Sequence, residues 1–257
     1  MDKYETFKQK VYKLIGIDLS CYKEKQMKRR ISSLIIRNNF NDFDDYYTGL
    51  KDDSKLLDNF INYLTINVTE FYRNPTQWQV LENDILPELL NNNSNLNIWS
   101  SACSTGEEPY SLVMLLNKFL PLEKISILAT DIDENVMDRA IMGIYSEKTL
   151  KNLPKEFVNK YFEKIGNSFQ INQSVKKRVK FQKLNLLSDN YSKNNDLIIC
   201  RNVMIYFTEE AKNTMYRKFY DSLNNQGVLF VGSTEQIILP DRYNFKTAKT
   251  FFYKKNT

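Results

Sequence analysis

Apolar residues recur at helical spacing through the first quarter of the chain, then give way to short apolar runs separated by helical stretches. Phe7, Val11 and Leu14 share one face of a helix that Gly16 closes. A second helix starts near Ser20 and carries Met27, Ile31, Leu34 and Ile35 on one stripe. Lys25, Lys28 and Arg29 fall on or near its opposite side, while Lys23 and Arg30 flank the stripe. A third helix is predicted over 56–64. The segment that follows keeps helical spacing through Trp78, Leu81, Ile85 and Leu89.

Beyond Leu96 the pattern predicts strands over 96–100, 125–130, 179–184, 196–200, 227–232 and 250–254. Helices are predicted over 108–119, 134–141 and 209–223. Strand–helix alternation of this kind implies an α/β fold, a mostly parallel sheet with helices on both faces. Three regions follow: a helical domain over 1–65, a linker helix segment over 66–95, and an α/β domain over 96–257. Residues 169–179 read as a small hairpin, so a β-subdomain is expected at about 166–180.

Composition narrows the chemistry. The hydrophobic fraction of 42% supports a sizeable core. No apolar run is long enough to span a bilayer and no signal-peptide pattern opens the chain, so a soluble, cytoplasmic protein is expected. Cys21, Cys103 and Cys200 have neither zinc nor disulfide-framework spacing and read as small buried thiols. Histidine is absent, which removes Ser-His-Asp and Cys-His hydrolase mechanisms and most transition-metal sites. The net charge of +5 is unevenly spread: residues 1–37 hold ten Lys/Arg against four Asp/Glu, and residues 38–65 hold two against six. A basic first segment points to an acidic partner, whether carboxylates, nucleic acid or membrane.

Ligands of open α/β sheets bind beyond the carboxyl ends of the strands. The first such end reads WSSACSTGEEPY over 99–110, where small residues allow close approach and Gly106 supplies conformational freedom. It is not GxGxxG. Glu107 and Glu108 at a helix N-terminus would repel a pyrophosphate and suit a cationic group such as a sulfonium or ammonium; alternatively they only favour the helix dipole. The next strand ends in Thr130-Asp131-Ile132-Asp133, about 25 positions after Gly106. Asp131 there fits a ribose-hydroxyl acceptor, which lies roughly 20 residues on in nucleoside-binding folds, with Asp133 as the cap of the next helix. A later strand ends in Arg201-Asn202, polar groups that need partners and that either reach the same crevice or brace a loop.

Five runs, NVTEFYR (67–73), WSSACSTGEEPYS (99–111), ATDID (129–133), LNLL (184–187) and ICRNVMIYF (199–207), occur in the order found in the CheR-type chemotaxis receptor methyltransferases. GVLFVGSTE (227–235) also resembles that family, and the likeness extends from about Gly16 to Tyr253. The resemblance implies a Rossmann-like S-adenosylmethionine-dependent methyltransferase fold, a small N-terminal all-helical domain and a small antiparallel β-subdomain. It implies methyl transfer from S-adenosylmethionine to receptor glutamates, leaving S-adenosylhomocysteine and using no metal.

By motif position, the resemblance assigns Asn67, Thr69, Arg73, Glu108, Asp131, Asn185, Leu186, Arg201 and Asn202 to the cofactor. Glu108 would take the methionine amino group, Asp131 the ribose, and Asn185 with Leu186 the adenine. Arg73 and Tyr206 match positions nearest the transferred methyl; packing against the cofactor is the other role open to Tyr206. Arg30, Lys25, Lys28 and Arg29 would dock on acidic receptor helices, or else form a solvated basic face. The partner expected is therefore a receptor's cytoplasmic helices at membrane receptor arrays. Nucleic acid is not expected, since aromatic residues do not interleave with the charges, nor is membrane insertion, and a monomer is expected. Family members that grip a receptor C-terminal pentapeptide carry a Gly-rich hairpin; here only Gly166 lies between Tyr161 and Phe181, so independence of the pentapeptide is expected.

Overall fold

The computed structural model describes residues 3–256, the side chain of Asn92 excepted; Met1, Asp2 and Thr257, at the outer limits of the expected domains, lie outside the described residues. Four helices open the chain: α1 (Lys3–Ile15), α2 (Glu24–Arg37), α3 (Phe43–Asp52) and α4 (Ser54–Thr65). Their buried faces are those of the sequence pattern, Tyr4, Phe7 and Val11 on α1 and Met27, Ile31, Leu34 and Ile35 on α2. Helix α3 was not anticipated, because its acidic sequence hides an apolar pair, Tyr46 and Leu50, one turn apart and both fully buried. Asp42 and Asp53 accept N–H bonds at the starts of α3 and α4, each cap contributing about 1 kcal/mol.

The linker is helical, α5 (Pro75–Val80) and α6 (Leu86–Asn92), joined by a π-helical turn over Leu81–Ile85. Pro87 explains that turn: it has no N–H to donate, and its ring would press on the carbonyl four residues back in a regular helix.

The remaining elements are β1 (Ile98–Ser100), α7 (Glu107–Leu116), β2 (Ile127–Asp131), α8 (Glu134–Met142), β3 (Ile144–Ser146), α9 (Lys155–Tyr161), β4 (Phe162–Ile165), β5 (Ser168–Ile171), α10 (Gln173–Lys176), β6 (Val179–Lys183), β7 (Asn195–Cys200), α11 (Glu209–Ser222), β8 (Leu223–Val231), β9 (Phe245–Lys249) and β10 (Phe252–Lys255). The main sheet runs β6-β2-β1-β7-β8-β10-β9. Its first five strands are parallel, and β10 and β9 add an antiparallel edge hairpin. All six residues of β7 are buried, as a strand covered on both faces requires. Leu197 and Ile199 join one apolar cluster, Ile198 and Cys200 the other. The first of these clusters holds the linker helices and α7; the second continues without interruption into the buried faces of α1–α4.

The small antiparallel sheet, β3-β5-β4, draws its strands from 144–171. The reading of 169–179 as a hairpin is thus corrected: the hairpin is β4–β5, residues 173–176 are helical, and Val179 starts the edge strand of the main sheet. Alternation around Phe169 is real but belongs to the second half of the hairpin.

Candidate functional site

The strand order turns at β1, which is flanked by β2 on one side and β7 on the other. Beyond the carboxyl ends of these strands lies an open cleft enclosing about 950 Å³, its mouth included. Its walls come from the end of α4 and the linker start (64–73), the loops after β1, β2, β6 and β7, and Tyr22 of the helical domain. All ten residues singled out for the cofactor and the transferred group line it: Asn67, Thr69, Arg73, Glu108, Asp131, Asn185, Leu186, Arg201, Asn202 and Tyr206.

Glu108 sits in the first turn of α7, where its neighbour Glu107 also begins the helix. Successive helical positions are about 100° apart, and the two carboxylates part accordingly. Glu108 enters the cleft, accepting a bond from the Ser100 hydroxyl at 2.9 Å and lying 3.5 Å from the Arg201 guanidinium. Glu107 is not a lining residue; it is buried against the Thr105 hydroxyl at 2.7 Å, and burial pushes its carboxyl up to about 7. The notion of a paired carboxylate site therefore reduces to Glu108 alone. Burial raises the Glu108 carboxyl too, opposed by Arg201 and Ser100. Gly106 holds φ +91° at the start of α7, and a Cβ there would come within 2.8 Å of the Ala140 Cβ.

Asp131 ends β2. One oxygen accepts the Ser104 N–H at 2.8 Å and the other the Asp133 N–H at 3.1 Å. A carboxylate has about four acceptor positions, so both oxygens keep capacity for hydroxyl donors in the cleft. Burial pushes Asp131 up to about 6, against the pull of those backbone N–H groups. Asp133 caps α8 by accepting from the Asn135 N–H at 3.0 Å. Its second oxygen accepts the Asn67 amide at 3.0 Å, fastening the linker to the end of β2.

Arg201 leaves β7 almost fully buried, over the Phe230 ring at 4.8 Å. Its Nη2 donates to the Arg73 carbonyl (2.7 Å), Gln77 Oε1 (2.8 Å) and Asn74 Oδ1 (3.2 Å). Both features left open from sequence are present: Arg201 lines the cleft and also ties the linker to the sheet. Arg73 donates Nη1 to the Val68 carbonyl at 2.9 Å. The Asn185 amide donates to the Gly16 carbonyl at 3.2 Å, linking the loop after β6 to the helical domain. Burial raises the Tyr206 hydroxyl above its usual range, while Arg30 and Arg73 pull the other way.

The four basic residues of α2 expected to dock on a receptor, Lys25, Lys28, Arg29 and Arg30, have different surroundings. Lys25 and Arg29 are exposed. Arg30 bonds the Tyr63 carbonyl and lies over the Tyr63 ring at 4.3 Å, and Lys28 sits over the Tyr4 ring at 5.1 Å. Two participants escaped the sequence reading. Tyr22 forms a single antiparallel bridge with Phe207, so that Lys23 N–H donates to the Tyr206 carbonyl at 2.9 Å; no local pattern marks such a contact. Glu235 reaches the loop after β7, and the only trace of it in the sequence was the run GVLFVGSTE. Among the described residues no cluster of His, Cys, Asp or Glu could hold a metal ion.

Comparison with known proteins agrees with this geometry. Residues 67–252 match the family model described as CheR methyltransferase, SAM binding domain, and residues 2–65 match the CheR methyltransferase all-alpha domain. A "Chemotaxis protein methyltransferase" of Listeria monocytogenes is 43% identical over 98% of this chain and 97% of its own length. Proteins of the same name from Borreliella burgdorferi (38% identical, 96% of this chain, 91% of that one) and, numbered 2, from Vibrio cholerae (34%, 90% and 84%) are also similar. The chain belongs to the CheR family of S-adenosylmethionine-dependent methyltransferases.

Proposed function

We propose that this methyltransferase esterifies glutamate side chains on the cytoplasmic helices of a chemotaxis receptor. The observation that carries the reading is the meeting of Glu108, Asp131, Arg73 and Tyr206 in one cleft. The residues present fit S-adenosylmethionine: an acidic group at each of two adjacent strand ends, and apolar Ile132, Leu184, Leu186 and Leu187 on the wall beyond Asp131. When bound, that cofactor supplies a methyl group activated by its sulfonium. Glu108 would receive the amino group, Asp131 the ribose hydroxyls, and Asn185 with Leu186 would flank the base. Asn67, Thr69 and Asn202 border the cofactor, and Arg201 holds Glu108 and the linker in place.

The substrate glutamate needs no general base, since a free carboxyl of pKa near ~4.3 is ionised at neutral pH. A chain without histidine can therefore do this chemistry. The transfer that this cofactor would supply forms a C–O bond at the substrate carboxylate as the C–S bond breaks, so both formal charges would vanish and the thioether would be the leaving group. What the protein contributes is alignment, the source of most of the acceleration in such a step. Arg73 holds the substrate carboxylate. Tyr206, a phenol that is protonated at neutral pH in any case, donates a hydrogen bond that orients it.

Arg30 of α2, with the exposed Lys25 and Arg29 and with the half-buried Lys28, docks the acidic receptor helix. The β4–β5 turn holds only Gly166 and Asn167, too short for a Gly-rich peptide grip, so docking is independent of a receptor C-terminal pentapeptide. Micromolar binding of such a peptide would contradict that independence. The function itself is tested with methyl-labelled cofactor and a receptor cytoplasmic fragment. The expected product is a base-labile methyl ester whose formation slows with added salt; no label, or base-stable label, overturns the reading.

A further inference from the structure

Loop 201–207, which carries Asn202 and Tyr206, leaves the sheet through a left-handed residue and a short turn. Asn202 has φ +62°, in the left-handed region, and the chain then winds into a single 3-10 turn over Met204–Tyr206. A turn this short makes few bonds of its own. Its backbone donors are taken instead by one side chain from another part of the molecule, Glu235, which is 6% exposed. Oε1 accepts the N–H of Met204 at 2.7 Å and of Ile205 at 3.3 Å. Oε2 accepts the N–H of Gly232 at 2.9 Å and also that of Asn202.

Gly232 makes this approach possible. A Cβ added there would collide with the Glu235 carboxylate and lie 2.9 Å from the Asn202 nitrogen. The glycine is therefore required for space, not for a left-handed backbone. Gly232-Ser233-Thr234-Glu235 thus forms a unit: the strand β8 ends, the glycine opens a gap, and the glutamate three residues on turns back through it.

We infer that Glu235 is a positioning residue for methyl transfer, which fixes Asn202 and Tyr206 at the cleft by accepting backbone N–H groups on both sides of their loop. It is not a lining residue of the cleft and acts through the loop that is. Burying a carboxylate is costly unless its oxygens are satisfied; here four backbone donors converge on it. The same bonds favour the ionised form, while burial raises the carboxyl. Tyr206 is held on its far side by the Lys23 N–H on its carbonyl. Its loop is gripped from two directions.

The inference rests on the proposed function only for the meaning of Tyr206, and its test has a readout that does not. Glu235→Gln keeps the shape but sets an NH2 group against backbone donors in either orientation of the amide, because each oxygen serves two of them. In this variant of the full chain, hydrogen exchange at the amides of Asn202, Met204 and Gly232 should accelerate by at least about tenfold, while Trp99 of β1 stays as slow as in the parent. Turnover on the receptor fragment should fall by roughly 30-fold while the Kd for S-adenosylhomocysteine rises less than about fivefold, a loss confined to the transition state. Glu235→Asp, which keeps the charge on a shorter arm, should fall between the two and serves in place of the amide variant should that one not fold. Unchanged exchange at Asn202 and Met204, or unchanged turnover, overturns the role. If the parent protein transfers no methyl group at all, the proposed function fails, and the exchange data still decide whether Glu235 anchors the loop.

Discussion

At the scale of single residues, the cleft is governed by how much burial each carboxyl tolerates. Asp131 is pushed up to about 6 because desolvation outweighs the Ser104 and Asp133 N–H groups that favour its charge. A ligand that donates two hydroxyls to Asp131 prefers the ionised form, so binding lowers that carboxyl and releases a proton. S-adenosylhomocysteine affinity should therefore stay flat above about pH 7 and weaken as pH falls through about 6, by up to about tenfold per unit. Glu108, also raised by burial, acts in the same direction. Titration calorimetry across this range checks it, and Asp131→Asn should flatten the Asp131 part of the curve. Tyr206→Phe should cut turnover by about 10- to 100-fold with cofactor affinity nearly intact, the range of a lost hydrogen bond in the transition state; equal turnover would leave the ring with packing alone.

Single residues were also where the sequence was most and least informative. Asp131 and Asn202 were legible because each ends or closely follows an apolar strand run, and Glu108 because it opens the helix after β1. That Glu107 turns away was legible only in principle, from the angle between adjacent helical positions. Glu235 was not legible from periodicity, since three of its four donors belong to a loop about 30 residues earlier in the chain.

At the scale of elements, Arg201 is a buried tie between linker and sheet. Three oxygens of residues 73–77 converge on one nitrogen of its guanidinium, and Glu108 lies on the other side. Lysine cannot reproduce that fork. Arg201→Lys should therefore cost about 2–4 kcal/mol of stability, since buried acceptors and a carboxylate lose their partner. Denaturant unfolding measures the loss, and an unchanged midpoint would reduce the brace to a bystander. The misread elements have common physical origins. Helix α3 was hidden by charge, because only two of its ten residues are buried. The small sheet was shifted because β3, a three-residue strand with one buried side chain, carries too little pattern to be seen.

At the scale of the whole molecule, the helical domain is not an appendage. Tyr4, Phe7 and Phe60 belong to the same apolar cluster as Trp99, Leu229 and Val231 of the sheet. Tyr22 pairs with Phe207 across the boundary, and Asn185 reaches Gly16. Docking of a receptor helix on α2 would thus occur on an element whose preceding residue, Lys23, is bonded to Tyr206. Such shared burial predicts that both regions unfold together. Fluorescence of Trp78 and Trp99 should report the same urea midpoint as helical circular dichroism, within experimental scatter. Separate midpoints would mean that the cluster is divided in solution.

The measurement closest to the heart of the account is calorimetric titration of S-adenosylhomocysteine into the folded protein, its Glu108→Gln variant and its Asp131→Asn variant. One site per chain is predicted, with affinity reduced at least about tenfold in either variant, as befits a lost charge-assisted hydrogen bond. Absence of binding by the folded parent protein, or equal affinity in all three, would contradict it.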